Sequence, residues 1–369
     1  PPNKVGPEKV SAEEPMRPRL KTLARERVGD ELRLVYDPRD RLVLTDRDGT
    51  VEKLLDLLEQ GGRTVEELAG ELSLPVADIS AAVAALDAER LLEDGDHLGL
   101  LDPGDAERHF SNLAFFESFG TLRRSREDLL RRLRESHVLV LGTGGLNSNT
   151  IPHLAGLGVG KMTLLDRDTV DPRNFARQYL YRWDDVGSRK VERAADWVRA
   201  FDPSIEVETV DMGVESPEQL DELVARTRPD VVASGIDRPT QIDLWVNAAC
   251  VRHGVPFVRG GMWVTSGTVW SVAPGVSACR ACVPPSADAD GPDLAAIRLY
   301  RDGPRPNRGI GPVAGLLGAY GAFEVLRYLT GFEPPAYAGR PLIIDFAGGC
   351  ATSRTEWTRD PGCEICGGR

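Results

Sequence analysis

The chain has 369 residues, 41% of them apolar, and a formal charge of −12. That length supports two domains and a core that needs no disulfide staples, and the acid excess excludes the basic stripe of a nucleic-acid surface. No apolar run reaches the roughly 18–20 residues of a membrane span and no signal-peptide apolar region opens the sequence, so a soluble cytoplasmic protein without nucleic-acid or membrane partners is expected.

Residues 1–28 are rich in Pro, Lys, Glu and Arg with little periodicity, and are expected to form a mobile N-terminal arm. The pattern then changes. Leu32 and Leu34, then Leu42 and Leu44, alternate around Asp37-Pro38-Arg39-Asp40, which predicts a hairpin. Val51, Leu54, Leu55 and Leu58 share one helical face that Gly61 ends. Thr64-x-x-Glu67 is a capping box that opens a second helix running to Leu72, and Ile79, Val83 and Leu86 mark a third.

A hairpin and three helices within residues 29–100 predict a small α+β winged-helix domain. DNA binding is set aside, because Asp78, Asp87 and Glu89 stand against Arg90 on the third helix and phosphate would be repelled. The arrangement resembles the PqqD-like peptide-recognition domain of enzymes that modify ribosomally made peptides. The resemblance implies a leader peptide bound as an added strand on the hairpin edge, packed against the third helix. A purely structural accessory domain is the other reading. Residues 101–136 form a charged connector ending in an amphipathic helix, with Leu129, Leu130 and Leu133 apolar among arginines.

Residues 137–369 read as an α/β domain. "HVLVLGTGGLNSN" is a buried strand running into a glycine turn and a helix, the context a phosphate-cradling loop requires. Its glycines are Gly142, Gly144 and Gly145; Asn147 stands at the third-glycine place, where a left-handed backbone would suit Asn better than most residues. The strand "KMTLLDRD" ends in Asp166, about 20 residues beyond the loop, where a carboxylate meets a ribose. Asn174, Arg177 and Lys190 follow, and a later buried strand ends in Asp237. Two cations and two carboxylates on one nucleotide suit ATP with Mg²⁺ rather than NAD, since the cations neutralise a triphosphate under attack and a carboxylate holds the metal. Ordinary surface ion pairs are the bland alternative.

The G-x-G-G-x loop, L-L-D-x-D, the N-x-x-R-Q block from Asn174 to Gln178, the lysine of "VGSRK" and S-x-x-D ending at Asp237 resemble the ThiF/MoeB family of adenylating enzymes, relatives of ubiquitin-activating enzymes. The resemblance covers Val138 to Gly368. It implies a Rossmann-like adenylation domain and attack of a substrate carboxylate on the α-phosphate of ATP, giving an acyl-adenylate and pyrophosphate. Carried over residue by residue, Arg177 and Lys190 stabilise the phosphates and Asn174 orients them. Asp237 holds Mg²⁺, Asp166 holds the ribose, and Asp168 joins it in the nucleotide site. A homodimer is the family expectation.

Cys279-x-x-Cys282 and Cys363-x-x-Cys366 offer four thiolates on two separate segments, a closed tetrahedral set for structural Zn²⁺ that ties the tail to the domain. Two unrelated pairs of free thiols are the alternative. The family pattern fails at two places. The loop "RDGPRPNRGIGPVAG" has no nucleophilic cysteine; Cys250 reads as core and Cys350 is the remaining candidate. The segment "ERHFSNLAFF" keeps Arg108 but has Ser111 where relatives carry an arginine supplied in trans. His97, His109, His137, His153 and His253 are scattered and form no site.

Both parts, in this order, resemble the microcin-maturation enzymes, which implies ATP-dependent activation of a carboxylate on a precursor peptide, the adenylate then passing to a nucleophile or a partner maturation enzyme. A non-catalytic leader-binding scaffold for a partner cyclodehydratase and a sulfur-carrier adenylyltransferase are the rival readings.

Overall fold

The computed structural model describes residues 16–39, 41–95, 101–283 and 307–367. The chain divides into two compact units, Pro1–Arg131 and Arg132–Arg369.

In the first unit the strands are β1 (Pro18–Leu20), β2 (Ala24–Val28), β3 (Glu31–Val35) and β4 (Leu42–Thr45). β2, β3 and β4 form an antiparallel sheet in that order. Period-two alternation turns Leu32 and Leu34 inward from β3, opposite Leu44 and Leu42 of β4. Three helices follow, α1 (Thr50–Gln60), α2 (Val65–Leu72) and α3 (Val76–Ala88), then β5 (Leu92–Asp94), which pairs with β1. Leu54, Leu55 and Leu58 of α1 and Ile79, Val83 and Leu86 of α3 close over the sheet leucines in one core. The capping box opens α2: Glu67 N donates to Thr64 Oγ1 at 3.2 Å and Thr64 N to Glu67 Oε2 at 2.8 Å. α4 (Pro103–Arg108), α5 (Phe110–Glu117) and α6 (Arg126–Glu135) form the connector.

The mobile arm expected over 1–28 is corrected from residue 18 onward; residues 1–15 lie outside the described part. Two of its charged side chains, Arg19 and Lys21, are buried and paired. Arg19 Nη2 meets Glu93 Oε1 at 2.6 Å and Glu127 Oε1 at 3.5 Å. Lys21 Nζ donates to the Arg90 carbonyl at 2.8 Å, and burial pulls its ammonium down to about 8 against the raising pull of Glu93 and Glu117. A dense run of charge reads as solvated unless its partners are known, and Glu93 lies 74 residues from Arg19.

The second unit carries an eight-stranded sheet. In chain order it contains β6 (His137–Leu141), α7 (Asn147–Leu157), β7 (Lys161–Leu165), α8 (Lys190–Phe201), β8 (Glu206–Val210), α9 (Pro217–Thr227), β9 (Val231–Ser234) and α10 (Ile242–His253). β10 (Phe257–Trp263), β11 (Ser266–Val272), α11 (Gly311–Thr330), β12 (Leu342–Asp345) and β13 (Ala351–Arg354) complete it. The sheet order is β13-β12-β11-β10-β9-β6-β7-β8, parallel from β8 to β10 and antiparallel beyond. β6 is an unbroken apolar run because both its faces are covered. Leu139, Leu141, Val232 and Phe257 face α9 and α10 on one side, while α11 packs on α7 and crosses β9 to β11. Where α7 turns into β7, a Cβ on Gly160 would stand 1.8 Å from the Arg134 carbonyl oxygen, so no larger residue fits.

β6 lies between β7 and β9, so the connections from β6 and β9 part there and leave a crevice at the carboxyl ends of the strands. This crevice positions the site. Among the described residues no single helix is long and apolar enough to cross a membrane.

Candidate functional site

β6 ends at Leu141 and the chain turns through Gly142 at φ 83°, where a Cβ would also crowd Ile236 Cγ2 at 2.9 Å. Leu146 then caps α7 without a side-chain acceptor. Among the described residues nothing takes the N–H groups of Gly144, Gly145 and Leu146. Free N–H groups at the positive end of a helix form an anion cradle.

Arg177 lies over this cradle. A Cβ on Gly145 would come within 3.1 Å of its Nε, and one on Gly309 within 2.9 Å of its Cδ. Its Nη1 donates to the Arg173 carbonyl at 3.1 Å, and no carboxylate among the described residues pairs with it. Burial lowers its pKa from the usual guanidinium range. A half-buried cation without an acid beside unpaired N–H groups favours an anion. Asn149, which the sequence reading missed, holds the two parts together: its Nδ2 donates to the Gly145 carbonyl at 2.8 Å and the Arg177 carbonyl at 3.0 Å.

Asp166 lies under the loop rather than open to it, 8% exposed. Its Oδ2 accepts from Thr143 N at 2.7 Å and Thr143 Oγ1 at 3.0 Å, and its Oδ1 accepts from Asp168 N at 2.8 Å. Tyr181 donates from below to the Thr143 carbonyl at 2.7 Å, and burial pushes its phenol up. Thr143 and Tyr181 thus support the glycine loop, although spacing did not single them out. Lys190, the first residue of α8, is buried, with Nζ 3.1 Å from the open carboxylate of Asp168.

Asn174 closes a short 3₁₀ turn, where its Oδ1 accepts from Asp171 N at 3.0 Å and its carbonyl from Arg177 N at 3.0 Å. It therefore sets the start of the Arg177 loop. Asp237 follows β9 and is exposed, in no ion pair among the described residues; Ile236, one residue earlier, is the neighbour of Gly142. A Cβ on Gly144 would stand 3.8 Å from Gln178 Nε2, and Gln178 Oε1 is buried with no hydrogen-bond partner.

Asn147 is a correction. It has ordinary helical backbone, not the left-handed conformation expected, and it is 2% exposed. Its Nδ2 faces the carbonyls of Leu141, Gly142 and Ala233 at 3.1, 2.8 and 3.2 Å, tying the ends of β6 and β9 together. It builds the cradle from behind. Asn147→Leu strands these acceptors and is expected to cost about 1–3 kcal/mol, read by urea unfolding; an unchanged midpoint would remove this role.

The four cysteines of the two pairs converge. Cys279 Sγ lies 3.7 Å from Cys363 Sγ and 3.9 Å from Cys282 Sγ, and Cys282 Sγ lies 3.3 Å from Cys366 Sγ. All are buried, with ligand atoms within 4.8 Å of one another. Tetrahedral zinc with bonds of ~2.3 Å sets sulfurs about 3.8 Å apart, so this donor set fits it. Asn247, unmarked by spacing, supports the set, with Nδ2 3.5 Å from Cys279 Sγ and Oδ1 accepting from Arg280 N at 2.8 Å.

Cys250 is buried in α10 and burial pushes its thiol up, while Cys350 is exposed in the β12–β13 turn at φ 63°. In the loop before α11, residues 307–310 are described and hold no cysteine; 301–306 lie outside the described residues, as does His97. Arg108 and Ser111 are both exposed.

The ThiF family model matches residues 118–365. The SAMP-activating enzyme E1 of Haloferax volcanii is 33% identical over 239 residues, 64% of this chain and 82% of that protein. The molybdopterin-synthase adenylyltransferase of Escherichia coli is 32% identical over 240 residues, 64% of this chain and 88% of its own length. Among solved structures, E. coli MccB with ATP superposes at a TM-score of 0.73 with 20% identity, covering 95% of this chain and all of that one. MccB in complex with N-formylated MccA gives 0.74, again at 20% identity and the same coverage. With the glycine cradle and Arg177 inside the matched span, this chain belongs to the ThiF family and is an ATP-dependent adenylyltransferase.

Proposed function

We propose that the protein adenylates a carboxylate of a ribosomally made precursor peptide, yielding an acyl-AMP and pyrophosphate. The observation that carries this reading is Arg177, half-buried, without an acid partner among the described residues, and lying over the glycine cradle. ATP supplies an electrophilic α-phosphorus and a pyrophosphate leaving group. In this reading the N–H groups of Gly144 and Gly145 and the Arg177 guanidinium hold the phosphates, and Asn174 fixes the loop that aims Arg177. Lys190 exchanges Asp168 for phosphate oxygen. Asp166 sets the loop beside the ribose, with Asp168 free to meet a hydroxyl. Asp237, exposed and in no ion pair among the described residues, is the Mg²⁺ ligand. Zinc in the four-cysteine set is structural, because no ligand position is left open.

Peptide rather than a ubiquitin-like protein is favoured by coverage. The two sequence relatives above match 64% of this chain, whereas the MccB fold covers 95% of it. The first unit offers an open strand edge for such a peptide. Asp46 N donates to the Asp30 carbonyl at 2.7 Å, so alternate pairs Leu32–Leu44 and Leu34–Leu42 exchange the ladder bonds. Val43 and Thr45 then turn their N–H and C=O groups outward on β4, an edge of the sheet. A leader strand would bond there. A homodimer, a partner enzyme that consumes the adenylate, and a cytoplasmic setting that supplies ATP and keeps thiols reduced belong to the same reading.

Pyrophosphate exchange into ATP, with the purified protein and any small peptide encoded beside its gene, tests it: peptide-dependent exchange is expected. Val43→Pro removes one outward N–H yet leaves the β3 ladder intact. It is expected to weaken peptide binding about tenfold with ATP binding unchanged. Tight peptide binding with no exchange would leave a delivery scaffold instead.

A further inference from the structure

Arg259 belongs to neither ATP nor zinc in the reading above. It lies on β10 in register with Ser234, the last residue of β9 and three before Asp237. The next residue, Gly260, meets the glycine loop: a Cβ there would stand 2.9 Å from Leu146 Cδ1. Along the sheet the order is β7, β6, β9, β10. Asp166 closes β7, the glycine loop closes β6 and Asp237 follows β9, so Arg259 comes one strand beyond the Mg²⁺ ligand, on the side away from the ribose. A nucleotide reaching from β7 to β9 leaves that side for the second substrate.

The guanidinium is partly satisfied. Nε donates to Asp243 Oδ1 at 2.8 Å, and Nη1 to the Gly260 carbonyl at 3.1 Å and, more weakly, the Ser234 carbonyl at 3.5 Å. Nη2 makes no hydrogen bond among the described residues and is not sealed from solvent. The side chain is 13% exposed and its partner Asp243 37%. Asp243 therefore fixes the direction of the fork while its Nη2 edge stays open. A guanidinium held in this way takes a carboxylate or carbonyl oxygen at little further entropic cost.

The geometry points to Arg259 as the substrate-binding residue for the carboxylate that is adenylated, and this rests on the adenylation reading of the site. One carboxylate oxygen attacks the α-phosphorus, and the bond to the bridging oxygen breaks with its electron pair leaving on pyrophosphate. The other oxygen stays on Arg259 and becomes the acyl carbonyl. Arg259 thus holds reactant and adenylate alike, and its loss raises the KM for the peptide more than it lowers kcat.

The test uses the full chain and two probes, 5′-O-sulfamoyladenosine and its N-(acetylglycyl) derivative, which mimics an acyl-adenylate. The unmodified protein is expected to bind the acylated probe at least tenfold more tightly. Arg259→Met should bring the two within about twofold by weakening only the acylated probe, and Arg259→Lys should fall between. Asp243→Asn keeps an oxygen for Nε and should keep the preference. Arg259 is only a brace for α10 if Asp243→Asn matches Arg259→Met, or if both probes weaken equally. No acyl preference in the unmodified protein also overturns the proposal. Binding of neither probe would instead sink the adenylation reading beneath it.

Discussion

Asp237→Ala is expected to lower peptide-dependent pyrophosphate exchange by about 10²–10³-fold while the melting temperature stays nearly unchanged. The reason is the position of the carboxylate. Asp237 is exposed at the end of β9, outside the core and outside every ion pair among the described residues, and substitutions at such places usually change stability by no more than about 0.5 kcal/mol. In the adenylation reading Asp237 would hold Mg²⁺, which would stabilise phosphate charge, so its contribution would appear only with the metal bound. Lys190→Ala should lose exchange too, but by another route. Its buried ammonium pairs with Asp168, so the variant disturbs the start of α8 besides losing the phosphate contact proposed for it. A melting curve separates the two. Exchange that survives in Asp237→Ala would assign the metal to another ligand.

Zinc removal is expected to have the largest effect on stability. Metal analysis of the purified protein should find one zinc per chain, and Cys363→Ala should hold little of it. Structural zinc binds with about 10–16 kcal/mol in isolated fingers. Only part of that reaches global stability here, because the tail has other anchors: Trp357 N donates to the Gly339 carbonyl at 2.7 Å, and its ring lies 5.1 Å from Trp270. A loss of several kcal/mol at about 2–4 °C each predicts a melting temperature lower by 10 °C or so. Amide exchange should rise first in residues 355–367. Cys250→Ala, which removes a core thiol outside the set, should keep its zinc. A metal-free protein of unchanged stability would leave the four thiols as ordinary core.

The parts that local spacing encodes were legible in the sequence. Leucines at helical and strand periods gave the core of the first unit, because 3.6 and 2 residues per repeat decide which side chains share a face. Thr64 and Glu67 stand three apart and cap each other as that distance requires. The glycine loop was readable since a strand, Gly142 at positive φ and a helix follow one another within a dozen residues. The cysteine pairs were readable because two ligands fit one turn.

Contacts that depend on where distant segments meet were decided only by tertiary structure. β1 was read as arm because Arg19 and Lys21 are charged, yet Glu93 and the Arg90 carbonyl satisfy them from across the unit. Asn147 was read through its own backbone, yet its amide reaches Ala233, 86 residues away. Arg177 was placed by motif, but its lack of an acid partner among the described residues and its passage over Gly145 and Gly309 follow from packing. By itself the sequence determined most of the elements, the loop and the cysteine pairs, because backbone geometry is set by neighbours in the chain. Tertiary structure decided which charges are paired, which stay unpaired and which strand ends face the crevice, because burial and electrostatics act between residues that only folding brings together.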